Sequence, residues 1–138
     1  MKVIGIEIDG ARVNFIALDS SSGHILEALS VPKSVELKND KDFGELRTFK
    51  ELLHSVFNAF SPDVIGIYSK SASGRHSAGP ITYKVEGLIQ LYEGKNMQFV
   101  HHKSIAALKN KKQYEVKCKF TYQKQAADVA YYLLHNDE

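Results

Sequence analysis

The spacing of apolar positions divides the chain into a strand-rich opening and a helix-bearing remainder. Val3 to Ile8 is rich in β-branched residues, and a second apolar run, Val13 to Leu18, follows Asp9-Gly10. Two such runs about a DG pair read as a β-hairpin. Asp19 to Gly23 is a second turn; His24 to Val31 reads as a third strand, which Ser34 to Leu37 would extend beyond Pro32 at an edge or bend.

The period then changes. After the polar cap Asn39 to Asp42, residues Phe43, Leu46, Phe49, Leu52, Leu53, Val56, Phe57 and Phe60 recur at helical spacing, and Ser61-Pro62 stops the run. Asp63 to Tyr68 is short and continuously apolar, the pattern of a strand buried on both faces. Ser69 to Pro80, reading SKSASGRHSAGP, is a loop by its small and polar composition. Beyond it the spacing predicts a helix over Thr82 to Tyr92, a strand over Met97 to His101, a short helix over Ser104 to Lys109, and a final helix over Thr121 to His135. Ala126, Ala127 and Ala130 suit that last helix to close packing.

Three antiparallel strands followed by βαβ crossovers imply an α/β domain: a mixed five-stranded sheet with helices on both faces. At 138 residues the chain matches one domain, 1–138. A hydrophobic share of 43% and a charged share of 25% are those of an ordinary globular protein, which argues against a disordered or fibrous chain. The start MKVIGIEIDG lacks the basic and apolar regions of a signal peptide, and no apolar run approaches the roughly 20 residues of a membrane span. Cys118 is the lone cysteine, so no intrachain disulfide is available. A soluble, cytoplasmic protein is the expectation, with no membrane partner; a homodimer is left open.

A net charge of +2 does not by itself point to nucleic acid. Its distribution is more informative: lysines stand at 95, 103, 109, 111, 112, 117, 119 and 124 against the single acid Glu115. Tyr114, Phe120 and Tyr122 are interleaved with them, a composition that can track a nucleic-acid backbone and can equally be a solvated connection. In the loop, Lys70, Arg75 and His76 beside small residues can bind phosphate or stay solvated. His101-His102 is weak as a metal pair, because neighbouring strand residues point to opposite faces.

Three segments carry a family resemblance: Gly5-Ile6-Glu7-Ile8-Asp9-Gly10 on the first strand, Val64 to Tyr68 on the central strand, and Gln125-Ala126-Ala127-Asp128-Val129 on the last helix. Their order and spacing resemble the ribonuclease H-like superfamily, the RuvC type of Holliday-junction resolvase in particular. The chain is also similar to the DUF3010 family. The RuvC pattern has an aspartate where Glu7 stands, a glutamate where Tyr68 stands and a histidine where Gln125 stands; Asp128 matches in kind.

The resemblance implies a ribonuclease H-like fold and nucleic acid as a partner. It further implies a nuclease using a pair of magnesium or manganese ions (Mg2+ or Mn2+), held by carboxylate oxygens. Glu7, Asp9 and Asp128 are then the candidate metal ligands and catalytic residues, with Glu86 a weaker fourth and Lys70 a fixed charge in place of one ion. Arg75, His76, Lys109, Lys111 and Lys112 are the candidate nucleic-acid contacts. For Asp9 a plain DG turn is the competing explanation, and Asp128 and Glu86 can equally be solvated helix positions. For Glu7 function is favoured, since a charge between Ile6 and Ile8 on a central strand is costly without a partner. Two other classes remain open: a non-catalytic module with a degenerate site, and half of an actin-like or sugar-kinase phosphate clasp, whose first hairpin GIEIDG also resembles.

Overall fold

A computed structural model describes residues 1–69, 79–94 and 96–137. The hairpin pairs β1 (Lys2–Asp9) with β2 (Arg12–Asp19) from Lys2↔Asp19 to Asp9↔Arg12. Asp9 is therefore a strand residue, and the turn proper is Gly10-Ala11, with Gly10 at φ 62° where a side chain would be strained. The predicted third strand is instead two short ones, β3 (Leu26–Glu27) and β4 (Ser34–Glu36), both antiparallel to the outer edge of β2.

The chain segment around Pro32 separates those two strands, and a side chain from far along the sequence fills the interval. Gln123 is buried, and its Nε2 donates to the carbonyl of Phe15 at 3.1 Å, while the Phe15 N–H donates to the Lys33 carbonyl at 3.0 Å. An amide thus supplies the ladder bond that an unbroken third strand would have made.

The long helix α1 (Phe43–Phe60) is capped by Asp42, whose Oδ1 accepts from Gly44 N at 2.9 Å and Glu45 N at 3.2 Å. It closes on Ser61 at φ 55° before Pro62. Then β5 (Val64–Ser69) runs parallel to β1, α2 (Pro80–Gln90) crosses back, and β6 (Asn96–His101) pairs parallel to β5 at the far edge. Two further helices follow, α3 (His102–Lys111) and, after a 3-10 turn over Thr121–Gln123, α4 (Lys124–Asn136). Across the sheet the order is β3-β2-β1-β5-β6, with β4 beside β3's position on β2. The α/β class and the mixed sheet agree with the sequence pattern; splitting of the third strand raises the strand count to six.

Alternation sorts the sheet into two faces. Ile4, Ile6, Phe15, Ile65 and Ile67 pack under α1 and α2, whereas Val3, Ile16, Leu18, Val64 and Val100 pack under α4 and α3. Two strand positions on this second face are glycine because α4 lies directly on them. A Cβ on Gly5 would strike the Ala126 carbonyl oxygen and reach within 2.6 Å of Ala130 N; one on Gly66 would meet Val129 Cγ1 at 2.7 Å. Together with Ala126, Ala127 and Ala130, these glycines let α4 approach the strand backbones. No helix among the described residues is long and apolar enough to cross a membrane.

Candidate functional site

Continuing β1 by its period of two carries the α4 face from Val3 and Gly5 to Glu7 and Asp9, past the point where α4 covers it. The same step on β5 leads from Gly66 to Tyr68. The strand ends and the first turns of α4 enclose an open cleft of about 410 Å³, lined by Glu7, Asp9, Tyr68, Thr121, Tyr122, Lys124, Gln125 and Asp128. The three candidate carboxylates therefore share one cleft, and all four positions aligned with the RuvC pattern, Glu7, Tyr68, Gln125 and Asp128, line it.

Each carboxylate already carries donors. Asn14, the register partner of Glu7, donates from Nδ2 to Glu7 Oε1 at 3.1 Å, leaving its own buried Oδ1 without a partner among the described residues. Arg12 Nη2 stands 3.3 Å from Asp9 Oδ2. Asp128, only 14% exposed in its side chain, has Lys109 Nζ at 3.1 Å from Oδ1 and Lys124 Nζ at 3.4 Å from Oδ2. Tyr68 has its hydroxyl pKa raised above the ordinary 10.0, first by burial and then by the negative charges of Asp128 and Glu7, so it stays a neutral phenol at physiological pH.

This donor set does not fit a pair of divalent ions as it stands. Both oxygens of Asp128 face ammonium groups and Asp9 faces a guanidinium. Tyr68 supplies no carboxylate, and no group of three His, Cys, Asp or Glu among the described residues is disposed to hold an ion. Magnesium or manganese would have to displace lysine ammoniums to reach Asp128.

The remaining candidates scatter. Glu86 is on α2, which packs on the opposite sheet face, and it does not line the cleft; burial raises its pKa above 4.5. Lys109 enters the site through Asp128, whereas Lys112 donates to the His135 carbonyl at 2.8 Å and so ties α3 to the end of α4. Lys111 is exposed. Lys70, Arg75 and His76 lie outside the described residues. His101 caps α3, its Nδ1 accepting from Lys103 N at 3.2 Å.

Arg12 and Asn14 escaped the sequence reading, and Lys124 figured in it only as part of the basic run. The first two had a signal, because a two-residue loop at Gly10-Ala11 fixes Arg12 opposite Asp9 and Asn14 opposite Glu7. Lys124 had one as well, being four residues before Asp128 on a helix. Lys109 at Asp128 depends on how α3 packs, which no local spacing encodes.

By overall structure the chain is similar to Thermus thermophilus RuvC, with a TM-score of 0.73 at 9% identity, covering 99% of this chain and 95% of the other. Against T. thermophilus RuvC in complex with Holliday junction substrate the TM-score is 0.74 at 8% identity, over 99% and 94%. The yeast mitochondrial Holliday junction resolvase Ydc2 is more distant, at a TM-score of 0.54 and 10% identity over 96% and 75%. These likenesses show the RuvC, ribonuclease H-like fold. A sequence search of curated proteins gave no match. The sequence profile of a family described as a protein of unknown function, DUF3010, matches residues 1–133, and the chain belongs to that family.

Proposed function

We propose that this protein binds nucleic acid through the cleft between β1, β5 and α4, engaging the phosphodiester backbone with fixed protein cations rather than with divalent ions. The observation that carries the reading is the placement of Lys109 and Lys124 on the two oxygens of Asp128. Three bare carboxylates would repel a phosphate, and in a metal-dependent site the ions remove that repulsion. Here Arg12, Lys109 and Lys124 face Asp9 and Asp128 instead. Two further facts support the reading: the fold is that of a protein seen with Holliday junction substrate, and the segment from Lys103 to Lys124 is basic.

The test is fluorescence anisotropy with labelled four-way junction, duplex and single strand, each titrated in EDTA and in Mn2+ over a range of salt. Binding in EDTA is expected, weakening as salt rises by about 0.9 in log–log slope for each duplex phosphate contacted. Lys109→Ala with Lys124→Ala should lower both affinity and slope. Absence of binding at about 50 mM salt would overturn the proposal. Cleavage in Mn2+ that Glu7→Gln abolishes would replace it with a nuclease reading, which the convergence of Glu7, Asp9 and Asp128 on one cleft otherwise favours.

A further inference from the structure

One wall of the cleft continues outward as a stack of rings and cations. Tyr122 lines the cleft, and the Arg12 guanidinium carbon lies over its ring at 5.3 Å from the centroid. Phe120 lies parallel to Tyr122, with centroids 5.5 Å apart and planes 12° apart. Over Phe120 stand the ammonium groups of Lys33 at 5.3 Å and Lys119 at 5.4 Å, reaching it from different parts of the chain. The stack is anchored where Gln123 is bound to the Phe15 carbonyl, which fixes the segment 120–123 against β2.

We propose that Arg12, Tyr122, Phe120, Lys33 and Lys119 form a second subsite, a rail that grips the phosphodiester backbone of a strand leaving the cleft. The proposal rests on the reading of the cleft as a nucleic-acid site. A cation held by a ring keeps its whole charge, unlike one held by a carboxylate. Lys33 and Lys119 are both exposed and make no ion pair among the described residues, so their charge is available to an anion. Arg12 shares its charge with Asp9, and Glu36 is its register partner on β4; the grip therefore falls on the two lysines, with Arg12 joining rail to cleft. Because Phe120 already holds both ammoniums in place, less side-chain entropy is lost when a phosphate arrives. Ring faces turned to cations are not offered to bases, so the rail reads backbone charge and not sequence.

The experiment measures anisotropy of the full chain with Lys33→Met and Lys119→Met together, using a labelled single strand and a labelled duplex long enough to pass from cleft to rail. Methionine keeps the apolar stem and removes the charge, and a thermal melt confirms that the variant folds. The expected result is weaker binding with a salt slope reduced by roughly 0.7 per lysine on a single strand or roughly 0.9 on a duplex; the arm that shows it identifies the form of strand carried. An unchanged slope in both arms, while Lys109→Ala still weakens binding, would overturn the rail and leave the cleft reading intact. Wild-type protein that binds neither oligonucleotide would overturn both.

Discussion

Replacing Gly5 by alanine tests whether α4 rests directly on the strand that carries Glu7. The added Cβ would collide with two backbone atoms of α4, the Ala126 carbonyl oxygen and, at 2.6 Å, Ala130 N. Neither can rotate away, so the helix itself must retreat. Overpacking of a core costs about 1–3 kcal/mol, and a collision with rigid backbone belongs at the upper end. At roughly 2.1 cal/mol/K per residue the unfolding entropy of 138 residues is about 0.3 kcal/mol/K, so a loss of about 3 kcal/mol lowers Tm by roughly 10 °C. Gly66→Ala meets only side chains, Val129 Cγ1 at 2.7 Å, Leu133 Cδ1 at 3.0 Å and Val100 Cγ2 at 3.2 Å, which can shift; about 1–2 kcal/mol is expected. Gly87→Ala in α2 meets nothing within 4 Å and should gain about 0.5–1 kcal/mol from helix propensity. Thermal melts and urea titrations of the three variants should rank them Gly5→Ala, Gly66→Ala, wild type, Gly87→Ala in rising stability. Gly5→Ala melting with the wild type, or above Gly66→Ala, would refute the close docking of α4 on β1 and, with it, the geometry that brings Asp128 to the cleft.

Three other outcomes follow from named contacts. A double-mutant cycle of Lys109→Met and Asp128→Asn, followed by urea denaturation, should give a coupling of roughly 0.5–1 kcal/mol that shrinks in high salt; zero coupling at low salt would remove Lys109 from Asp128. Burial raises the Glu86 carboxyl pKa above 4.5, so the folded state holds that proton more tightly than the unfolded chain and stability falls as pH rises from 4.5 through the folded value. Glu86→Gln should therefore raise Tm at neutral pH and lose its advantage in acid below 4.5; an equal gain at both ends of the scale would contradict the burial argument. Gln123→Glu removes the donor to the Phe15 carbonyl and introduces a buried acid, so it should destabilise by about 2–4 kcal/mol, more at high pH than low, whereas Gln123→Leu should cost about 1 kcal/mol; a pH-independent Gln123→Glu would show that the side chain reaches solvent.

Much of this architecture was legible because it depends on spacing. The apolar runs of β1 and β2, the helical spacing in α1 and the small residues of α4 mark what is buried before any neighbour is known, although two of the eight apolar positions of α1, Phe43 and Leu52, lie exposed. The third strand was legible as extended chain interrupted at Pro32, but not as two separate strands, because the amide that fills the interval comes from Gln123, 108 residues beyond the Phe15 it binds. The site follows the same rule. That Glu7, Asp9 and Asp128 share a cleft follows from the parity of β1 and the face of α4. That Asp128 is held by Lys109 follows from the packing of α3 on α4, which the basic run could suggest only as bulk charge.

That last contact bears directly on the proposed reading of the cleft. A carboxylate with an ammonium on each oxygen has spent its negative charge inside the protein, and a divalent ion must then compete with groups that cannot diffuse away. The tyrosine at 68 points the same way, because an acid there would have added a charge that the described cations do not match, while a neutral phenol adds only a polar tip. At position 7, Asn14 Nδ2 fixes Glu7 Oε1 at 3.1 Å within the same cleft. Arg12 thus offsets Asp9, and Lys109 and Lys124 together offset Asp128, so that on the proposed reading a phosphate meets less repulsion than bare carboxylates would exert. On the proposed reading, these fixed ammonium and guanidinium groups stand in the cleft where a metal-dependent site would need bound ions.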